Sequence, residues 1–227
     1  MTYHALDIMR VRQLRFAVAM TALALGVACG GEPAPATPGG QPSGGSPHML
    51  HAPGIPEAFS QADVDFMTGM IPHHAQAVIM GKWAPTHGAR QDVAILCERI
   101  VVGQTDEIGL MQTWLSDRGQ VVPDAKSTRM HMVMNGKAED MLMPGMLTDA
   151  EMAELDKARG PEWDRLFLIG MIKHHQGAVD MVDVLFKSYG GGQDTQIFKF
   201  ASDVYADQTI EIDRMKQMLG NGGEPRS

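Results

Sequence analysis

The sequence predicts an all-α protein: a four-helix bundle made from one helical hairpin used twice, joined by a Met-rich connection that contains a short helix. Two internal repeats and one periodicity carry that prediction. Shifting the chain by 101 residues lays Asp164, Phe167, Gly170, Met171, Ile172, His174, His175, Ala178, Val179 and Met181 on Asp63, Phe66, Gly69, Met70, Ile71, His73, His74, Ala77, Val78 and Met80. A shift of 104 lays Gln208, Glu211, Ile212 and Met215 on Gln104, Glu107, Ile108 and Met111. Apolar residues in both copies recur at helical spacing. A repeated hairpin buries its apolar faces against its own copy, and two hairpins make a four-helix bundle.

Residues 1–28 read as an export signal. Arg10, Arg12 and Arg15 precede the apolar run Phe16 to Ala28, which is too short to span a bilayer. Met9 offers an alternative start. Leu25-Gly-Val-Ala-Cys29 resembles a bacterial lipoprotein cleavage box, with Cys29 as the lipidated first mature residue; plain secretion after Ala28 is the alternative. Residues 29–56 are rich in Gly, Pro, Ala and Ser and form a flexible tether, in which His48, Met49 and His51 read as linker rather than metal contacts.

The formal charge is −8, and loss of residues 1–28 removes more basic than acidic groups. Such a chain is not built for nucleic acid or anionic lipid, so its expected membrane contact is a lipid anchor at Cys29. With Cys29 lipidated, Cys97 stands alone and no disulfide framework exists. A buried apolar role suits Cys97 better than a ligand role, since Ala201 occupies its counterpart position.

The folded domain is expected over 57–220, with hairpins at about 59–118 and 161–219 and a disordered tail at 221–227. Ser60 and Asp63 resemble a capping pair opening a first helix from about Gln61 to Trp83. On it, Phe66, Met70, His73, Ala77 and Met80 share one stripe, with His74 on the shoulder. Pro72 removes one backbone donor and predicts a bend before the histidines, whereas Lys173 predicts a straighter second copy. Pro85 to Gly88 closes the element. The second helix, about Arg90 to Asp117, carries Val93, Cys97, Ile100, Gln104, Ile108, Met111 and Leu115 on one face. Between the hairpins, Gly119 to Gly160 is too long to be structureless. Thr148 and Glu151 form a capping box for a short helix ending near Ala158. Ahead of it lie Met130-His-Met-Val-Met134 and Met141-Leu-Met-Pro-Gly-Met146.

The chain holds 19 Met, and Met-x-Met runs in a polar connection are poorly explained as core filler. A lone buried histidine is most simply a hydrogen-bonded core residue. Four histidines in two matching, Met-flanked pairs point instead to a ligand site. Soft thioethers favour Cu(I) and imidazole suits copper, zinc, iron or nickel. The candidate metal ligands are His73, His74, His174 and His175 with Met70, Met80, Met171 and Met181. Met130, His131, Met132 and Met134 form a second, more open set. Copper is the expected ion; iron, manganese and zinc rank behind it. A copper-donor or acceptor protein is an open partner.

The doubled Met-Ile-x-His-His block, the Gln-x-x-Glu-Ile-x-x-Met runs of the partner helices, Met143-Pro-Gly-Met-Leu147 and Glu162-Trp-Asp-Arg-Leu-Phe167 together resemble the domain of unknown function 305 family. The resemblance covers nearly all of Phe59 to Leu219. It implies a ferritin-like four-helix bundle exported from bacteria, some members of which bind copper through His and Met.

Three other readings stand beside copper handling. A di-iron or di-manganese carboxylate enzyme would use Glu107, Glu211, Asp63 and Asp164, but the Glu-x-x-His signature of such bundles is missing from the sequence. Bis-histidine haem would be non-covalent, because no Cys-x-x-Cys-His occurs. A structural or partner-binding bundle would use the histidines for hydrogen bonds alone. With no nucleophile–base arrangement and no phosphate loop, binding is expected rather than catalysis.

Overall fold

Four long helices dominate the computed structural model, which describes residues 59–134 and 137–220. They are α1 (Gln61–Lys82), α3 (Gln91–Asp117), α5 (Pro161–Lys187) and α6 (Thr195–Gly220). The one-turn α2 (Ala84–His87) joins the first pair. The connection between the hairpins holds two strands, β1 (Met130–Met134) and β2 (Lys137–Met141), and the short α4 (Asp149–Lys157). The expected signal, the Cys29 anchor, the tether with His48, Met49 and His51, and the C-terminal tail lie outside the described residues. Among the described residues no helix is long and apolar enough to cross a membrane.

The helix starts follow from capping chemistry. Ser60 accepts from the Asp63 backbone while Asp63 accepts from the Ser60 backbone, and Thr148 and Glu151 repeat the arrangement at α4. Each hairpin is antiparallel: Gly81 packs against Cys97 and Val101, and Phe59 meets Trp114 edge-on at the other end. α1 and α5 also run antiparallel, Gly170 lying against Met80 and Gly69 against Met181.

All seven face residues named for α3, from Val93 to Leu115, are buried. On α1 the single expected stripe is exceeded. Met67, Ile71, Pro72, Ala75 and Gln76 are buried as well, because α3, α5 and the connection enclose the helix from several sides. α1 remains helical on both sides of Pro72.

Two equivalent carboxylates join the hairpins at opposite ends. Asp63 accepts from the backbone N–H of Gly192, ahead of α6, at 2.7 Å. Asp164 accepts from the backbone N–H of Arg90, ahead of α3, at 3.2 and 3.3 Å. The repeated Asp is thus a clasp, with each copy holding the start of the other copy's second helix.

The connection differs most from expectation. Its Met-x-Met run forms β1, paired antiparallel with β2 so that Met130 faces Met141 and His131 faces Asp140. The sequence does hold a hairpin signal, Asn135-Gly136 between two strand-length stretches. Further on, Met143–Leu147 straps the groove between α1 and α5. Gln76 holds Leu147 by both amide atoms, at 2.9 and 2.7 Å. At the counterpart of Gln76 the second copy has Gly177, where a Cβ would sit 2.0 Å from the carbonyl oxygen of Pro144. The repeats differ here because one clamps the strap and the other makes room for it.

Candidate metal centre

His73 and His74 lie mid-α1, and His174 and His175 lie mid-α5. All four are fully buried, including the shoulder residue His74. Ring centroids are separated by 6.1 Å for His74–His73, 3.8 Å for His73–His174 and 6.3 Å for His174–His175. The imidazoles therefore form one continuous row across the α1–α5 seam. Both ends of the row stop on a carboxylate from the partner helix of the same hairpin. His74 Nε2 lies 2.6 Å from Glu107 Oε2, and His175 Nε2 lies 2.8 Å from Glu211 Oε2. His73 Nε2 meets the Pro144 carbonyl oxygen at 3.1 Å.

These contacts assign the ring protons. Carbonyl and carboxylate oxygens accept, so Nε2–H donates in His73, His74 and His175, which leaves Nδ1 as the free nitrogen of each ring. Those three Nδ1 atoms, and both nitrogens of His174, are buried without a hydrogen-bond partner in the protein. Protein interiors rarely leave such groups unsatisfied. Burial, and secondarily the neighbouring imidazoles, hold His73 and His174 well below the usual histidine range. Neutral imidazole is the form that ligates a metal.

The thioethers flank the row crosswise. Met70 and Met181 belong to the core cluster around Phe66 and Trp114, while Met80 and Met171 belong to the cluster around Leu96 and Trp163. Antiparallel packing of α1 on α5 groups the upstream Met of one repeat with the downstream Met of the other. A Cβ would come within 2.7 Å of the Met143 methyl at Gly69 and 3.1 Å of Leu147 at Gly170, so both glycines make room for the strap, with Met181 and Met80 at ordinary contact distances of 3.4 and 3.6 Å.

Among the described residues no group of three or more His, Cys, Asp or Glu side chains is gathered closely enough to hold one ion. The acids named for a carboxylate-bridged pair of metals are engaged elsewhere: Glu107 and Glu211 by imidazoles, Asp63 and Asp164 by backbone N–H groups. The residues instead suit a soft ion of low coordination number, held by imidazole nitrogen and thioether sulfur.

Of the second candidate set, only Met130 and His131 have described side chains. His131 is exposed and pairs with Asp140 across the β-hairpin. Successive strand residues point to opposite faces, so His131 and Met130 cannot share one site as a simple cluster. The side chains of Met132 and Met134 lie outside the described part of the structure. Cys97 is buried in the core, and burial, with the Asp164 carboxylate second, pushes its thiol up to about 12. What sequence reasoning missed is the pairing of Glu107 and Glu211 with the outer imidazoles, having named the two only as acids of a carboxylate-bridged metal pair. Their signal was the doubled Gln-x-x-Glu at matching positions of the two partner helices.

The profile described as Domain of unknown function (DUF305) matches residues 63–219. The chain belongs to the DUF305 family. A DUF305 protein of Streptomyces coelicolor, described as secreted, is 28% identical, with 73% of this chain and 95% of that one covered and a TM-score of 0.58. A DUF305 fragment from Deinococcus radiodurans is 26% identical, covering 72% and 98%, with a TM-score of 0.59. CopM in its Cu(I)-bound form is 26% identical, covering 71% and 98%, with a TM-score of 0.54. CopM has also been solved in Cu(II)-bound, Ag-bound and apo forms. An uncharacterised protein of Acanthamoeba polyphaga mimivirus is 34% identical over 56 residues, a stretch that spans 37% of that protein's length.

Proposed function

We propose that this DUF305 chain is an exported copper-binding protein that sequesters, stores or passes on copper outside the cytoplasm, held to the membrane by a lipid at Cys29. The observation that carries the reading is the set of five buried imidazole nitrogens without protein partners, in one row across the α1–α5 seam, with Met70 and Met181 in one adjoining core cluster and Met80 and Met171 in the other. His73, His74, His174 and His175 would supply nitrogen, with Nδ1 the ligating atom in the three rings whose Nε2–H is engaged. Met70, Met80, Met171 and Met181 would supply sulfur. Glu107 and Glu211 accept from the outer rings and fix their orientation, the role carboxylates play behind metal-bound histidine. CopM, a solved relative, is seen with Cu(I), Cu(II) and Ag, which supports this choice of ion. Thioether ligands have no proton to lose and resist an oxidising compartment, which suits an exported carrier. Binding rather than catalysis is the reading, since Glu107 and Glu211 serve imidazoles and Asp63 and Asp164 serve backbone groups.

The test is an anaerobic Cu(I) titration of the mature protein against a chromophoric chelator, repeated with His73, His74, His174 and His175 all changed to Ala. Stoichiometric binding that loses equivalents in the variant supports the proposal. Binding unchanged in the variant would move copper to the Met130–Met134 stretch or the tether, and no binding would sink the copper reading.

A further inference from the structure

The repeated Gln-x-x-Glu runs point outward as well as inward. α3 and α6 face one another across a cleft of about 210 Å³ lined by Arg99, Gly103, Gln104, Glu107, Asp207, Gln208 and Glu211, among others. Three carboxylates from two helices share it, against one guanidinium. Burial and the carboxylates of Glu107, Glu211 and Asp203 together push Asp207 up.

The floor of the cleft is built for a visitor. Gln104 and Gln208 are equivalent residues, exposed by only 4% and 3%. Both amide atoms of Gln104 and the amide oxygen of Gln208 are buried without a protein partner. Buried acceptors left unsatisfied are costly, so a hydrated cation that meets the amide oxygens of Gln104 and Gln208 offsets a standing penalty. Glu107 and Glu211 connect this floor to the row. Their side chains are 24% and 20% exposed, while the imidazoles they hold are fully buried. Each carboxylate thus faces the cleft and touches the row at once.

We infer that the α3–α6 cleft is the access route by which a hydrated divalent cation reaches the imidazole row. The inference rests on the row being a metal site. Carboxylates and amide oxygens suit a hydrated divalent ion in transit, and imidazole suits Cu(II) as well as Cu(I), so the row can take the same ion without a change of oxidation state. A cleft lined by one sign of charge focuses field lines and raises the arrival rate of a counter-ion. Asp207 has no carboxylate counterpart in the first repeat, where Gly103 stands, so the cleft's third charge comes from α6 alone.

The competing way in is the groove between α1 and α5, lined by Asp65, Met143, Asp180 and Met181. Stopped-flow loading of the full-length protein with Cu(II), followed by tryptophan quenching, separates the two. Asp207→Asn should slow loading about threefold and Asp207→Lys about tenfold, each with a weaker dependence on ionic strength and unchanged final stoichiometry. Asp65→Asn with Asp180→Asn should load at the parental rate. Slowing in that double variant with no effect at Asp207 would overturn the inference and place access on the α1–α5 side. Equal rates in all variants would overturn it too. A parent protein that takes up no copper at all would sink the metal reading first, and this one with it.

Discussion

His73 and His174, equivalent residues of the two repeats, face each other across the α1–α5 seam with ring centroids 3.8 Å apart. Two protonated rings could not sit at that distance in a buried seam. Burial and mutual repulsion therefore hold both in the neutral form.

This geometry makes the metal-free protein sensitive to acid. Both folded-state values are depressed, so from about a unit above the free histidine value of about 6.5 neither state of the chain carries a proton on these rings and they contribute no pH dependence. Below that the unfolded chain takes up protons that the folded one refuses, and stability falls by up to about 1.4 kcal/mol per pH unit for each ring. The loss continues until the folded rings also protonate. Urea midpoints between pH 7.5 and 5 should drop, and the slope should flatten when His73 and His174 are both changed to Gln. An identical slope in that variant would contradict the assignment.

Glu107→Gln and Glu211→Gln should each weaken metal affinity about 10- to 100-fold, the usual effect of removing a carboxylate behind a ligating histidine. The melting temperature of the metal-free protein should move little, because both side chains are partly solvated. Chelator competition and thermal melts on the same samples check this. A large drop in melting temperature with affinity preserved would make the two residues structural.

Asp63→Ala and Asp164→Ala should each destabilise the fold by about 1–3 kcal/mol, since each leaves a backbone donor without its acceptor. Asp63→Ala should cost more because it also removes the capping box of α1. Equilibrium unfolding in urea decides the order.

Gly177→Ala should destabilise by about 1–3 kcal/mol or displace the strap, because its Cβ would collide with the Pro144 carbonyl. Gly109→Ala, on a helix face with open space beyond it, should instead stabilise by up to about 1 kcal/mol. Paired denaturation curves give the contrast, and equal signs would refute the close approach at Gly177.

The sequence by itself determined the two-hairpin plan, the buried face of α3, the capping boxes at Ser60 and Thr148, and the Met-flanked histidine pairs. Local rules govern all of these: helical period, cap chemistry and an internal repeat act within a few turns of chain. Membership of the DUF305 family was legible for the same reason, because the doubled block is contiguous. Only the tertiary structure decided which histidine meets which. His73 meets His174 because α1 packs antiparallel on α5, and Met70 joins Met181 rather than Met80 for the same reason. The roles of Glu107 and Glu211 depended on the facing of two helices about 35 residues away along the chain, and spacing alone does not encode that. His131 was separated from the row because its segment became a strand pairing across to Asp140. Local signals set each helix and its apolar face, while long-range packing set the partners that line four buried rings up across one seam.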